Sequence, residues 1–196
     1  MKKLVYDSAI NDISNPDRKV YQRWIGILRR TDHRDPNWKD YELYKDCTLH
    51  PDWLYLSKFQ EWIETWDDWQ NKCVDKDIKY PGNRMYGPDT CIMVSKGINN
   101  FFVEPARRSP NTANLPQGVY YSSPTQREQR YRAIVRLDGK QVWGGHHHTI
   151  EAAQQSYRKV KFESLEVLIE REQCPKVKQI LQEIHETKDT PSLSRW

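Results

Sequence analysis

One stretch of this chain, CVDKDIKYPGNRMYGPDTCIMVSKGINN at residues 73–100, sets Asp75 and Asp77 before a turn and Asn99 beyond it. Carboxylates at a strand end, facing an amide from a short helix, can hold one hard divalent cation that also binds a substrate phosphate. The same residues suit ordinary turn carboxylates and a helix-capping amide, and spacing leaves both readings open. A second group is cationic. In RYRAIVRL, Tyr131, Ala133, Val135 and Leu137 alternate with Arg130, Arg132, Ile134 and Arg136. A strand of this pattern packs one face and presents the three arginines on the other, where alternate positions repeat about every 7 Å. Cys47, Cys73 and Cys91 flank the acidic turn and could share a zinc. Their strand-like settings fit buried small hydrophobes better, so no zinc is expected.

The elements that would position these groups can be read from periodicity. Ser14-Asn15-Pro16 predicts a helix start, and Val20, Trp24, Ile27 and Leu28 then share one face to about Arg30. Ser57 is expected to cap a second helix carrying Phe59, Trp62, Ile63 and Trp66. Residues 73–78 and Cys91–Val94 read as strands, and Ser95 as the cap of a short helix with Ile98, Phe101 and Phe102. The segment Glu104–Gln117 has three prolines and no apolar period, which marks a linker. Beyond it come a strand (GVYYSS), a hairpin turning at Asp138-Gly139, and a long helix opening at Thr149. His146, His147 and His148 then fall in the loop between the last strand and that helix. Cys174-Pro175 breaks the helix, and Val177, Ile180, Leu181 and Ile184 predict a final amphipathic one.

Charge separates the two halves. Residues 1–100 carry 16 basic and 16 acidic groups, whereas residues 105–161 carry 10 against 3, a local +7 hidden inside a total of +4. A basic segment of this kind is the electrostatic footprint of a nucleic-acid reader. With 196 residues, one domain or two small ones are possible. Mean hydropathy is -0.95, and no apolar run approaches the ~18 residues of a membrane span. No secretory signal is read at the start, no CxxC is present, and a cytoplasmic location is expected.

The first stretch resembles the core of phage HNH endonucleases of the homing type. The matching pieces are Val74-Asp75-Lys76-Asp77-Ile78, Tyr86-Gly87-Pro88-Asp89-Thr90-Cys91 and Ile98-Asn99, behind an aromatic lead-in through Trp53, Phe59 and Trp62. The resemblance implies a ββα-metal unit in which Asp75 and Asn99 hold Mg²⁺ or Mn²⁺. The family's general-base His is replaced here by Lys76 or Asp77, and Thr90 stands where the family has the Asn that orients the base. Residues 117–160 resemble the plant ethylene-response-factor (APETALA-type) DNA-binding domain through Gly118-Val119, Tyr131-Arg132-Ala133-Ile134, Asp138-Gly139-Lys140, Gly144-Gly145 and Thr149-Ile150-Glu151-Ala152-Ala153. That resemblance implies contacts to bases and phosphates from Arg130, Arg132, Arg136, Lys140 and Trp143.

Together these readings predict an α+β protein: an HNH-like ββα-metal unit over residues 1–104 with an N-terminal helical part, a linker at 105–116, and a three-stranded antiparallel sheet plus helices at 117–196. The expected activity is metal-dependent cleavage or nicking of double-stranded DNA by a hydrolase with catalytic Asp75, Lys76, Asp77, Thr90 and Asn99. The protein would be a monomer or weak dimer, in the host cytoplasm if phage-encoded. The alternatives are a DNA-binding protein of HNH fold that has lost the chemistry, and a protein-binding inhibitor of a host factor.

Overall fold

The computed structural model describes residues 3–103, 114–122 and 130–187, and the chain is a mixed α+β protein of small sheets and helices. It divides into two compact units, Met1–Lys96 and Gly97–Trp196. Among the described residues no helix is long and apolar enough to cross a membrane.

In the first unit, strands β1 (Lys3–Val5) and β2 (Ala9–Asn11) form a hairpin turning at Tyr6 and Asp7, both at positive φ. Helix α1 (Arg18–Thr31) starts after Asp17, whose carboxylate accepts N–H bonds from Lys19 and Val20 at 2.7 and 3.1 Å. The cap is therefore Asp17 rather than a residue before Pro16. Val20, Trp24, Ile27 and Leu28 are all buried, as their spacing predicts. Helix α2 (Tyr41–Tyr44) is a single turn, followed by strand β3 (Thr48–Leu49) and a 3-10 turn at Pro51–Leu54. Trp24 Nε1 donates to the Trp53 carbonyl at 2.7 Å, and Trp53 meets Phe59 of helix α3 (Leu56–Ile63) edge-on. Ser57 lies inside α3 instead of capping it. Asp12 supplies the acceptor from 45 residues away, taking Ser57 N–H at 2.9 Å and Ser57 Oγ–H at 2.6 Å.

Strand β4 (Lys72–Asp75) pairs antiparallel with β6 (Ile92–Ser95), and β5 (Met85–Tyr86) pairs parallel with β3. The expected strand at 73–78 stops at Asp75 because that side chain accepts the N–H groups of Asp77 and Ile78, which turns the backbone out of the ladder.

Helix α4 (Lys96–Phe102) begins at the division and buries Ile98 and Phe101. In the second unit, β7 (Val119–Tyr121), β8 (Tyr131–Leu137) and β9 (Lys140–His147) form an antiparallel sheet in that order. Asp138 and Gly139 turn the hairpin at φ 50° and 77°, the left-handed pair that an Asp-Gly turn supplies. Helix α5 (Ile150–Arg171) opens at Thr149, whose hydroxyl accepts Ala152 N–H, and α6 (Pro175–Glu186) follows the break at Cys174-Pro175. Helix α5 packs on one face of the sheet through Ala153 and Tyr157. A Cβ at Gly118, where φ is +72°, would stand 2.0 Å from the Tyr157 ring. Positions 105–113 of the expected linker lie outside the described residues, and Leu115 is buried with Val119 and Ala153.

Candidate functional site

The open face of the second unit's sheet gathers most of the expected binding residues. Opposed residues of antiparallel strands share a face, so the pairing register lists its members. Arg132 stands between Tyr120 and His146, Ile134 faces Trp143, and Arg136 faces Gln141. Val119, Ala133, Val135 and Val142 take the opposite, helix-covered face. The arginine alternation expected of β8 is thus realised, with Ile134 buried in the middle of the open face and Arg136 exposed. Trp143 is 50% exposed and carries the His146 ring edge-on at 4.8 Å. Arg130 is exposed just ahead of β8, and its carbonyl accepts Ser122 N–H. Lys140 is exposed but pairs with Leu137, which puts it in register with the other face.

Among the described residues no carboxylate pairs with Arg132. Its guanidinium lies over the Tyr120 ring at 5.9 Å, and its Nε is buried with no hydrogen-bond partner among the described residues. An unpartnered guanidinium N–H is costly unless something outside the chain satisfies it.

Sequence reasoning missed Tyr120, Ser122, Gln141 and His146. Counting back from the Asp138-Gly139 turn finds Gln141 opposite Arg136. The same count would put Gly145 opposite Arg132. Instead, β9 carries an extra residue at Gly144-Gly145, with Gly145 at φ +93°, and the bulge brings His146 into that place. The expectation that His146–His148 form a loop is corrected accordingly, since β9 runs on through His147. His146 Nδ1 is 2.8 Å from Ser122 Oγ, and His147 Nε2 is 2.9 Å from the Gly144 carbonyl.

Lys161, one of the ten basic groups of the +7 segment, is not on the surface. It is buried, donates to the Phe101 carbonyl, and lies 3.7 Å from the Phe101 ring centre. Arg107, Arg108 and Arg127 lie outside the described residues.

The acidic turn of the first unit is a closed hydrogen-bonded knot. Asp75 Oδ1 accepts two backbone N–H groups, from Asp77 at 2.8 Å and Ile78 at 2.7 Å. Burial pushes its carboxyl above the ordinary value, against the pull of those two bonds. Lys76 is 6% exposed. Its ammonium donates to Asp77 Oδ1 and Oδ2 at 2.8 and 2.9 Å and to the Asn83 carbonyl at 2.8 Å, one acceptor for each of its three protons. Asn83 closes the turn by donating to the Lys76 and Met85 carbonyls. Thr90 Oγ1 donates to Met85 O at 2.9 Å, and the neighbouring Cys91 thiol is pushed up to about 12 by burial. Asn99 lies on α4, in the second unit.

The turn is a poor fit to a divalent cation. Asp75, one of the two expected ligands, spends one oxygen on backbone amides, and burial holds its carboxyl toward the protonated form. Among the described residues no group of three or more His, Cys, Asp or Glu is placed to hold a metal ion. No protein-family profile, curated protein or solved structure matches the chain.

Proposed function

We propose that this chain is a double-stranded DNA-binding protein that reads the duplex through the open face of its β7–β9 sheet, and that its HNH-like first unit does not cleave. The observation that carries this reading is the co-facial set of Arg132, Arg136 and Trp143, with Arg132 Nε making no hydrogen bond among the described residues. A strand rise of ~3.3 Å per residue spaces Arg132 and Arg136 about 13 Å along β8, and a β-ribbon fits the major groove of B-DNA. Arg132 and Arg136 supply bidentate donors for guanine edges or phosphates, and Trp143 supplies an apolar plane. Arg130 and Lys140 flank them and add phosphate attraction.

The loss of cleavage is supported by the acidic turn. A base must be able to take a proton from water, yet the Lys76 ammonium and both Asp77 oxygens are already committed to each other. No histidine lies in this strand.

Two measurements test the reading. Fluorescence anisotropy on a preferred and a scrambled duplex should give Arg132→Ala a loss of ~1–3 kcal/mol on the preferred one. Four phosphate-competent cations give a slope of about -3 to -4 for log K against log salt. A slope near zero would sink the interface. In parallel, supercoiled plasmid incubated with Mg²⁺, Mn²⁺ or EDTA should stay intact. Metal-dependent nicking that disappears in Asp75→Ala would replace the non-cleaving reading with a nuclease.

A further inference from the structure

We propose that Arg132, His146 and Ser122 form a backbone-phosphate subsite on the open sheet face, one that tightens when His146 takes up a proton. The inference rests on the DNA-binding reading above and names how that surface is regulated. Arg132 and His146 are direct cross-strand partners, so their side chains leave the sheet side by side. Among the described residues neither meets a carboxylate: Arg132 Nε is buried with no acceptor there, and His146 Nδ1 bonds the Ser122 hydroxyl.

That hydroxyl can serve both charge states. It donates to Nδ1 of the neutral ring and accepts from Nδ1–H of the protonated one, so the same contact serves either form. Nε2 is left to meet a ligand, on the residue directly across the ladder from Arg132. The Trp143 ring, edge-on at 4.8 Å, limits the other ways the imidazole could turn.

The groups around His146 set the sign. Arg132 faces it from β8, with Arg130 at the start of that strand. Tyr120 lies beyond Arg132 on β7, His148 follows just past the end of β9, and Glu151 sits in the first turn of α5 behind the sheet. Strands β7–β9 and their turn hold one carboxylate, Asp138, and it pairs with Arg171. A bound phosphate favours a proton on the facing imidazole, so binding and protonation favour each other, and affinity must rise as pH falls.

The test is anisotropy of the full chain on a labelled duplex at fixed salt, at about pH 8 and about pH 5.5. Wild type should bind roughly fivefold tighter at the acid end, because a charge-assisted hydrogen bond replaces a neutral one. The slope of log K against log salt should steepen by about 0.9. His146→Gln, which can still reach Ser122, should show no pH response, whereas His147→Gln should respond like wild type. In wild type, the ring-proton NMR titration of His146 should move to higher pH when duplex is added, a readout independent of any variant's folding. Tight binding by wild type with no pH response, an unmoved His146 titration, or a full response in His146→Gln would each overturn the subsite. Absence of duplex binding at both pH values would instead overturn the DNA-binding reading, and the subsite with it.

Discussion

Replacing Lys76 by Met separates a structural ion pair from a catalytic one. Methionine keeps most of the buried aliphatic stem and removes only the ammonium, which is the group with three acceptors. Breaking a fully buried pair from one side costs about 3–5 kcal/mol, since it strands the partner charge. Here the two partners differ: the Lys76 side chain is 7% exposed, but the Asp77 carboxylate is 41% exposed and can recover water. The Asn83 carbonyl loses its donor as well. Discounting for the exposed carboxylate, the expected loss is about 2–3 kcal/mol. For a unit of this size that lowers the melting midpoint by about 10–20 °C. Calorimetry of wild type and Lys76→Met measures it. Duplex affinity should change by less than about twofold, because every residue assigned to the interface lies elsewhere. A variant that melts like wild type would refute the strut. If such a variant also abolished a metal-dependent cutting activity, Lys76 would be a catalytic group and the non-cleaving reading would fall with it.

Three further outcomes are expected. Gly118→Ala should destabilise the second unit by about 3 kcal/mol or more, since the new Cβ combines a left-handed φ with a 2.0 Å approach to Tyr157; a melt within a degree or two of wild type would contradict that packing. Asp75→Asn should keep the two backbone acceptances while dropping a buried charge, so at neutral pH it should match or exceed wild-type stability in a urea titration. The sign follows from the raised carboxyl. The folded state holds the Asp75 proton more tightly than the unfolded chain, so wild-type stability falls, relative to the variant, as pH rises from 3.8 through the raised value. Cys91, buried and with its thiol pushed up to about 12, should resist iodoacetamide in the native protein and react once urea unfolds it, as read by peptide mass spectrometry.

Features that depend on local spacing were legible in the sequence. The four apolar positions of α1 repeat at helical intervals and share the core. Asp138-Gly139 adopts the left-handed pair its residue types allow, and the alternation of RYRAIVRL survives folding because a seven-residue strand with one covered face has one sensible register. What spacing could not reach were contacts made across the chain. Asp12 caps α3 from 45 residues away, which is why the local candidate, Ser57, is found inside the helix. Lysine is the residue least expected in a core, and Lys76 is buried only because Asp77 and Asn83 converge on its ammonium. The acidic turn therefore reads from the sequence as three chemistry-bearing groups, Asp75, Lys76 and Asp77, whereas folding spends them largely on one another.

Gly144-Gly145 shows how a pair of residues without side chains can decide what a surface does. The two glycines are required for different reasons on opposite faces of the sheet. A Cβ at Gly144 would come within 2.8 Å of the Ala133 methyl and 3.2 Å of Ser156 Oγ, so this position lets α5 lie close against β8 and β9. Gly145 instead adopts φ +93°, which an L side chain rarely accepts, and in doing so it absorbs the extra residue of the bulge. Without that residue the ladder would set a glycine beside Arg132. With it, a histidine arrives there, and its ring reaches both Ser122 and Trp143. One backbone irregularity thus converts a lone arginine on a sheet into an arginine–histidine pair, and it is the pair that makes affinity for a phosphate answer to pH.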